Sequence, residues 1–175
     1  MILLINICKE DLHINEFVYP IGDILIKNKI KGFIRKYDCI KKKDLQKASK
    51  IIICGTSLQD NDFLKHINKF KWIKDYDKPI LGICGGMHVI HLIHHGKKQK
   101  NKIIGNEIVD FKKPFLGLIG KKEVYNLHQY YYESKEFIVY GNKQASKHKS
   151  KSFYGVLFHP EVRNKELILS FAKVH

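Results

Sequence analysis

A chain of 175 residues, 44% hydrophobic and 28% charged, can bury one substantial core and is too short for two comfortable ones, so a single domain over residues 1–175 is expected. No apolar run reaches membrane-spanning length, and the opening MILLINICKEDLH lacks the basic region and small-residue cleavage site of a signal peptide; a cytoplasmic protein without membrane contact is expected. The net charge of +15 is dispersed, with lysines in every quarter, knots at Lys41–Lys43, Lys97–Lys102 and Lys147–Lys151, and only Arg35 and Arg163 as arginines, which reads as a solvated surface rather than a nucleic-acid footprint.

Met1 to Ile7 reads as a first strand. Glu16 to Lys29 carries Phe17, Ile21, Ile24 and Leu25 at helical spacing. Gly32 to Tyr37 reads as a second strand and Asp44 to Ala48 as a short helical turn. Lys50 to Cys54 is a third strand, ending at Gly55-Thr56-Ser57. Asp62 to Tyr76 places Phe63, Leu64, Ile67, Phe70 and Ile73 on one side of a predicted helix. Pro79 to Ile83 is a central strand, followed by a helix to His95 that Gly96 closes. Strands alternating with helices at these lengths predict right-handed βαβ units and a parallel sheet. After Gly96 the pattern changes to strands at Lys102–Phe111, Leu116–Val124, Glu136–Gly141 and Ser152–Phe158, and the chain ends in a helix, Asn164–Val174. The predicted fold class is α/β: three layers, a mostly parallel central sheet flanked by helices, with an antiparallel extension.

Four cysteines, Cys8, Cys39, Cys54 and Cys84, are scattered without a C-x-x-C pair. That argues against a disulfide framework or a zinc knuckle, in keeping with a reducing compartment. One of them, Cys84, stands in PILGICGGMHVIHLIHHG, where an apolar strand runs into Gly82-Ile83-Cys84-Gly85-Gly86 and an apolar helix follows. Strand, tight Gly-x-Cys-x-Gly turn and helix form a nucleophile elbow. Glycines at 82 and 86 remove side chains that the sharp turn would otherwise force together. The helix N-terminus behind the thiol favours thiolate, the reactive form. By itself the motif also fits a buried core cysteine packed between glycines.

A second element comes near the end, in FYGVLFHPEV. A strand runs into His159-Pro160-Glu161. Proline disfavours helical backbone in the preceding residue, so alternation along an extended chain puts His159 and Glu161 on one side. An imidazole beside a carboxylate is the base and orienter that a cysteine nucleophile needs.

At these residues the chain resembles the class I glutamine amidotransferases of the triad type. The resemblance covers nearly the whole length and rests on the PILGICGG elbow, the FYGVLFHPEV terminus and the IIICGTS strand and turn. It implies Cys84 as nucleophile, with His159 and Glu161 completing the triad. It implies backbone N–H groups at Gly55 and Gly85 as the oxyanion site, glutamine as substrate and no cofactor. It places Asn126-Leu127-His128-Gln129-Tyr130 where the family holds the α-amino and carboxyl groups of glutamine, which makes His128 and Gln129 candidate substrate contacts. Two positions depart from the family pattern. His88 stands where a glutamine usually helps to hold the substrate, and Gly55-Thr56-Ser57 stands where the family reads Gly-Gly-Pro.

The family passes ammonia to a synthase site, and this chain has no room for a synthase domain, so a separate synthase subunit is implied. The FYGVLFHPEV ending is most similar to the glutaminase subunit of GMP synthetase. Two other readings compete: a stand-alone γ-glutamyl hydrolase, to which His88 lends weight, and a non-catalytic regulatory homologue, against which the intact triad residues speak. His88, His91 and His95 share a helical face, with His94 adjacent. No carboxylate lies nearby in sequence, so no metal site is expected.

Overall fold

The computed structural model describes residues 1–174. Five strands form the parallel part of a central sheet: β1 (Ile2–Asn6), β2 (Gly32–Lys36), β3 (Lys50–Ile53), β4 (Ile80–Ile83) and β9 (Phe153–Val156). Two more, β7 (Phe137–Tyr140) and β8 (Ala145–His148), extend it antiparallel, giving the order β2-β1-β3-β4-β9-β8-β7. The inner strands read ILLIN, KIII and ILGI and are buried almost throughout. Near-continuous apolar runs are what a parallel sheet covered on both faces requires.

Helices cover both faces. One face carries α1 (Ile14–Phe17), α2 (Tyr19–Lys27) and α6 (Lys165–Ala172). Their Phe17, Ile21, Leu25, Leu167 and Phe171 share a core with Leu4, Leu81 and Phe158. On the other face lie α3 (Lys42–Lys47), α4 (Asp62–Lys65), a 3-10 helix (Ile67–Asp75) and α5 (Gly85–Ile93). There Phe63, Phe70, Ile73, Val89 and Ile90 pack with Leu3, Ile51 and Phe153. The predicted three-layer α/β class, including its antiparallel extension, is the observed one.

Three local readings differ. Residues predicted as one helix from Asp62 to Tyr76 break after Lys65 and continue as the 3-10 helix. The buried side chains Phe70, Ile73 and Tyr76 recur every third residue, the period at which 3-10 side chains align. Strand β8 was not foreseen, because ASKH carries no apolar pattern even though Ala145, Ser146 and His148 are buried. The largest difference concerns β5 (Lys97–Phe115) and β6 (Leu118–Glu133). They are longer than predicted and stand apart as a two-stranded antiparallel ribbon, leaving the sheet extension to β7 and β8. Val109, Phe111, Phe115, Leu118 and Val124 anchor one end of the ribbon in the core, and Tyr131 packs with Met87 and Leu157. The ribbon's lysine-rich stretches remain exposed, since a central sheet position would strip their charges of water.

Candidate active site

The site forms where β3, β4 and β9 end on the same rim of the sheet, the usual position for ligands in open α/β folds. Cys84 links β4 to α5 with φ 48° and ψ −105°. A non-glycine residue in that region is strained and persists only where its surroundings dictate it. Close packing dictates it here. A Cβ on Gly86 would lie 2.1 Å from the Ile53 carbonyl oxygen, and one on Gly82 would lie 2.5 Å from the Gly86 carbonyl. Any larger residue at either position pushes α5 away from the strands that set the elbow. As first residue of α5, Gly85 has a backbone N–H with no carbonyl to reach within the helix.

His159 and Glu161 lie one strand away. His159 Nδ1 is 2.8 Å from Glu161 Oε1, and both side chains are only 1% exposed. Burial alone would push this imidazole down; the Glu161 carboxylate and the Cys84 sulfur outweigh it, and the imidazole is held well above its ordinary range. Nδ1 is occupied by Glu161, which leaves the buried Nε2, without a hydrogen-bond partner, as the ring nitrogen free for proton transfer. Phe17 packs against the ring at 5.3 Å between centroids. A Cβ on Gly55 would come within 2.7 Å of His159 Cε1 and 3.6 Å of Cys84 Cβ, so the β3 turn closes tightly over both.

Beyond His159 the chain does not continue as the extended strand predicted. β9 stops at Val156, and Val162 N–H donates to the His159 carbonyl at 3.1 Å, closing a turn with Pro160 inside it. The turn brings the side chains of His159 and Glu161 together where strand alternation was expected to do so. A turn of exposed charges is the ordinary fate of His-Pro-Glu; here Glu161 is 5% exposed.

Strand β6 runs along the site and contacts it through successive edge carbonyls. The Glu123 carbonyl accepts from Asn164 Nδ2 at 3.2 Å, the Tyr125 carbonyl from His159 N–H at 2.8 Å, and the Leu127 carbonyl from Cys84 Sγ at 3.5 Å. Spacing of two along a strand points these oxygens to one edge. Further along, Gln129 Nε2 donates to the Leu58 carbonyl at 3.2 Å and the Tyr130 hydroxyl donates to Asn61. Leu58 and Asn61 lie in the loop after β3, so β6 ties that loop to the elbow.

His88, His128 and Gln129 all line the cleft that contains Cys84, together with Thr56, Asn61 and Tyr130. His88 is buried against Tyr130, with ring centroids 5.0 Å apart. Burial pushes its pKa down to about 3, so the ring is neutral. His128 Nδ1 is 3.0 Å from the Asn101 carbonyl, and burial lowers its pKa also. The free volume between these side chains is about 20 Å3, room for about one water and far below the several hundred Å3 of usual small-ligand pockets. Sequence reasoning put Tyr130 in the substrate segment without a contact of its own and missed Asn61, its partner across 69 positions of chain.

The histidines of α5 diverge instead of forming one face of ligands. His88 meets Tyr130, His91 Nε2 is 2.8 Å from Ser146 Oγ, and His95 is exposed beyond the helix end. The carboxylate absent from the nearby sequence arrives through the fold: Glu136 Oε2 lies 3.0 Å from His94 Nδ1 and 3.3 Å from His148 Nε2. These three could hold a metal by proximity alone. Their hydrogen bonds fit otherwise. His148 Nδ1 accepts from the N–H groups of Ser150 and Lys151, both at 3.1 Å, so the ring proton sits on Nε2 and occupies the position a metal would need.

The comparisons with known proteins agree with this architecture. The family model for class I glutamine amidotransferase matches residues 14–171. Two Staphylococcus epidermidis sequences, each an imidazole glycerol phosphate synthase subunit HisH, are 32% and 31% identical over 142 residues, or 68% of this chain and 72% of theirs. A Thermoplasma acidophilum structure, described as one of the subunits of GMP synthase, superposes with TM-score 0.84 at 20% identity, covering 98% of this chain and 91% of that one. A Thermotoga maritima glutamine amidotransferase superposes with TM-score 0.69 at 17% identity, covering 98% of this chain and 89% of that one. At these identities the structures speak for the fold, and the family match speaks for the kind of chemistry. A chain matched by this family model over nearly its whole length, with the elbow cysteine on the rim where the fold places its site, belongs to the class I glutamine amidotransferases.

Proposed function

We propose that the protein is the glutaminase subunit of an amidotransferase, with Cys84, His159 and Glu161 as its catalytic residues. The observation that carries the reading is the strained Cys84 at the β4–α5 junction beside a fully buried His159–Glu161 pair. In the proposed reaction His159 holds the proton of the Cys84 thiol, and the thiolate sulfur attacks the side-chain carbonyl carbon of glutamine, forming a carbon–sulfur bond as the carbonyl opens to an oxyanion. The backbone N–H groups of Gly85 and Gly55 receive the developing oxyanion; one such donor is typically worth ~3 kcal/mol. The carbon–nitrogen bond then breaks, and ammonia leaves with a proton from His159. Water attacks the thioester, His159 takes its proton, and glutamate is released as the thiol is restored. Glu161 holds the imidazole in the orientation these transfers need. His88, His128 and Gln129 would shape the pocket around the substrate's far end.

The ammonia then serves a separate synthase subunit. The two HisH relatives favour the other subunit of imidazole glycerol phosphate synthase as acceptor, at an identity above 30%. The FYGVLFHPEV ending keeps GMP synthetase as the second reading. The test is glutamine hydrolysis by the purified chain, alone and with each recombinant synthase subunit from the same organism. Turnover that rises at least tenfold with one of them supports the reading and selects the acceptor. Efficient turnover of γ-glutamyl peptides by the lone chain, with no response to either synthase, would replace it by a stand-alone γ-glutamyl hydrolase. No thioester and no turnover under any condition would leave the fold as a binding module.

A further inference from the structure

The ribbon that spans the site has one face in contact with the body of the protein and another turned to solvent. On the solvent face, alternation places Ile104 and Ile108 of β5, and Ile119 of β6 follows at the register break that precedes the hairpin end. They are 53%, 61% and 57% exposed. Lys102, Lys112 and Lys121 are exposed around them. Of the acidic groups on the same face, Glu123 pairs with Arg163 at 2.8 Å, and Asp110 stands opposite Lys121 in the register. Lysines alone are the ordinary guard of an exposed strand edge. Three half-exposed isoleucines among them are not, because they cost solubility unless something covers them. The patch also adjoins the site: Ile104 pairs across the ribbon with Leu127, whose carbonyl meets Cys84 Sγ at 3.5 Å.

We propose that the solvent face of the β5–β6 ribbon, centred on Ile104, Ile108 and Ile119, is the surface on which the ammonia-accepting subunit docks, through an apolar patch rimmed by carboxylates. The inference rests on the proposed function, which requires an acceptor close to the cleft. Ammonia released into water is diluted and protonated, so the acceptor must seat beside the strand that covers the nucleophile. The lysine rim selects an acidic counterpart and speeds encounter with it. The isoleucines supply the central contacts that carry affinity.

The experiment titrates the full chain with the synthase subunits of imidazole glycerol phosphate synthase and of GMP synthetase, reading affinity by calorimetry and glutamine turnover in parallel. The wild-type chain is measured first. Binding to neither of them would overturn the separate-acceptor reading and the docking surface with it. With binding established, the double variant Ile104→Asp/Ile108→Asp is expected to lose at least tenfold in affinity and the acceptor-stimulated turnover, while its basal turnover stays within twofold. Ile104→Ala/Ile108→Ala, which keeps the strands uncharged, is expected to weaken binding by a smaller factor. Raising the salt concentration and introducing Lys102→Glu/Lys112→Glu should both slow association. Undiminished binding by the aspartate variant with an unchanged melting temperature would place the acceptor elsewhere and overturn the docking surface alone. So would an aspartate variant that loses only self-association, which would make the face an interface between two copies of this chain.

Discussion

The two ends of α5 each carry a histidine beside a glutamate, and they behave in opposite ways. At the N-terminal end His159 faces Glu161, both 1% exposed, and the imidazole is held above its ordinary range. At the C-terminal end Glu136 is shared between His94 and His148, its side chain is 44% exposed, and His94 lies below its ordinary range because burial outweighs the pull of the carboxylate. The residue types are the same. One carboxylate, dry and devoted to a single ring beside a sulfur, overcomes the cost of burying a charge; one that is wet and divided between two rings does not. The first arrangement suits proton transfer next to a nucleophile. The second fastens the end of α5 to the β7–β8 edge of the sheet.

Substitutions at the two ends break this comparison with graded force. The largest effect is expected at the elbow. Cys84→Ser should reduce glutamine hydrolysis by at least 10³-fold, because the serine hydroxyl is far less readily ionised than a thiol. The melting temperature should stay within a few degrees, as the side chains are nearly isosteric; unchanged turnover would remove Cys84 from its role. Next comes Glu161→Gln, expected to lower kcat about 10²-fold and to bring the His159 pKa down, which NMR titration of the imidazole can follow. The sign of the stability effect follows from the upward shift. The ion pair stabilises the fold fully below the unfolded imidazole pKa of about 6.5 and loses that contribution as pH rises through the raised folded value. The stability gap between wild type and Glu161→Gln should therefore narrow at alkaline pH; a gap independent of pH would show that Glu161 acts by packing.

A steric change at the same end should cost less activity than stability. Gly86→Ala must move α5 away from the Ile53 carbonyl, 2.1 Å from the new Cβ, at a cost of about 1–3 kcal/mol, measurable by urea unfolding. The smallest effect is expected at the other end. Glu136→Gln should cost under about 1 kcal/mol, since the carboxylate is substantially solvated. The carboxyl of Glu136 is held below its ordinary range by hydrogen bonding from His94, so its contribution is present at neutral pH and lost as pH falls through the lowered value. Turnover should remain within twofold of wild type. A tenfold loss from Glu136→Gln would mean that the two ends of α5 are coupled through the helix.

Much of this architecture was legible in the amino-acid pattern. Buried parallel strands announce themselves as unbroken runs of isoleucine and leucine, and the β4 elbow does so by a cysteine between glycines whose absent side chains the packing requires. His159 and Glu161 were legible as a pair because they are two residues apart, although a turn around Pro160 unites them and not a continuing strand. The β5–β6 ribbon misled the reading, since an alternating polar strand looks the same whether it joins a sheet or stands beside one. The histidines of α5 were legible in their spacing but not in their partners. Helical spacing brings His88 and His91 within one turn of each other, but each turns to a partner from a different strand, Tyr130 and Ser146.

What the sequence by itself determined is therefore local: strand identity, the elbow and the His-Pro-Glu turn, each governed by neighbours a few residues away. Only the tertiary structure decided which carboxylate meets which imidazole and how much water reaches them. It also decided that one edge of β6 supplies the carbonyls at 123, 125 and 127 that meet Asn164, His159 and Cys84. Those outcomes depend on residues distant in the chain approaching within hydrogen-bond range, and on burial, which no single segment encodes.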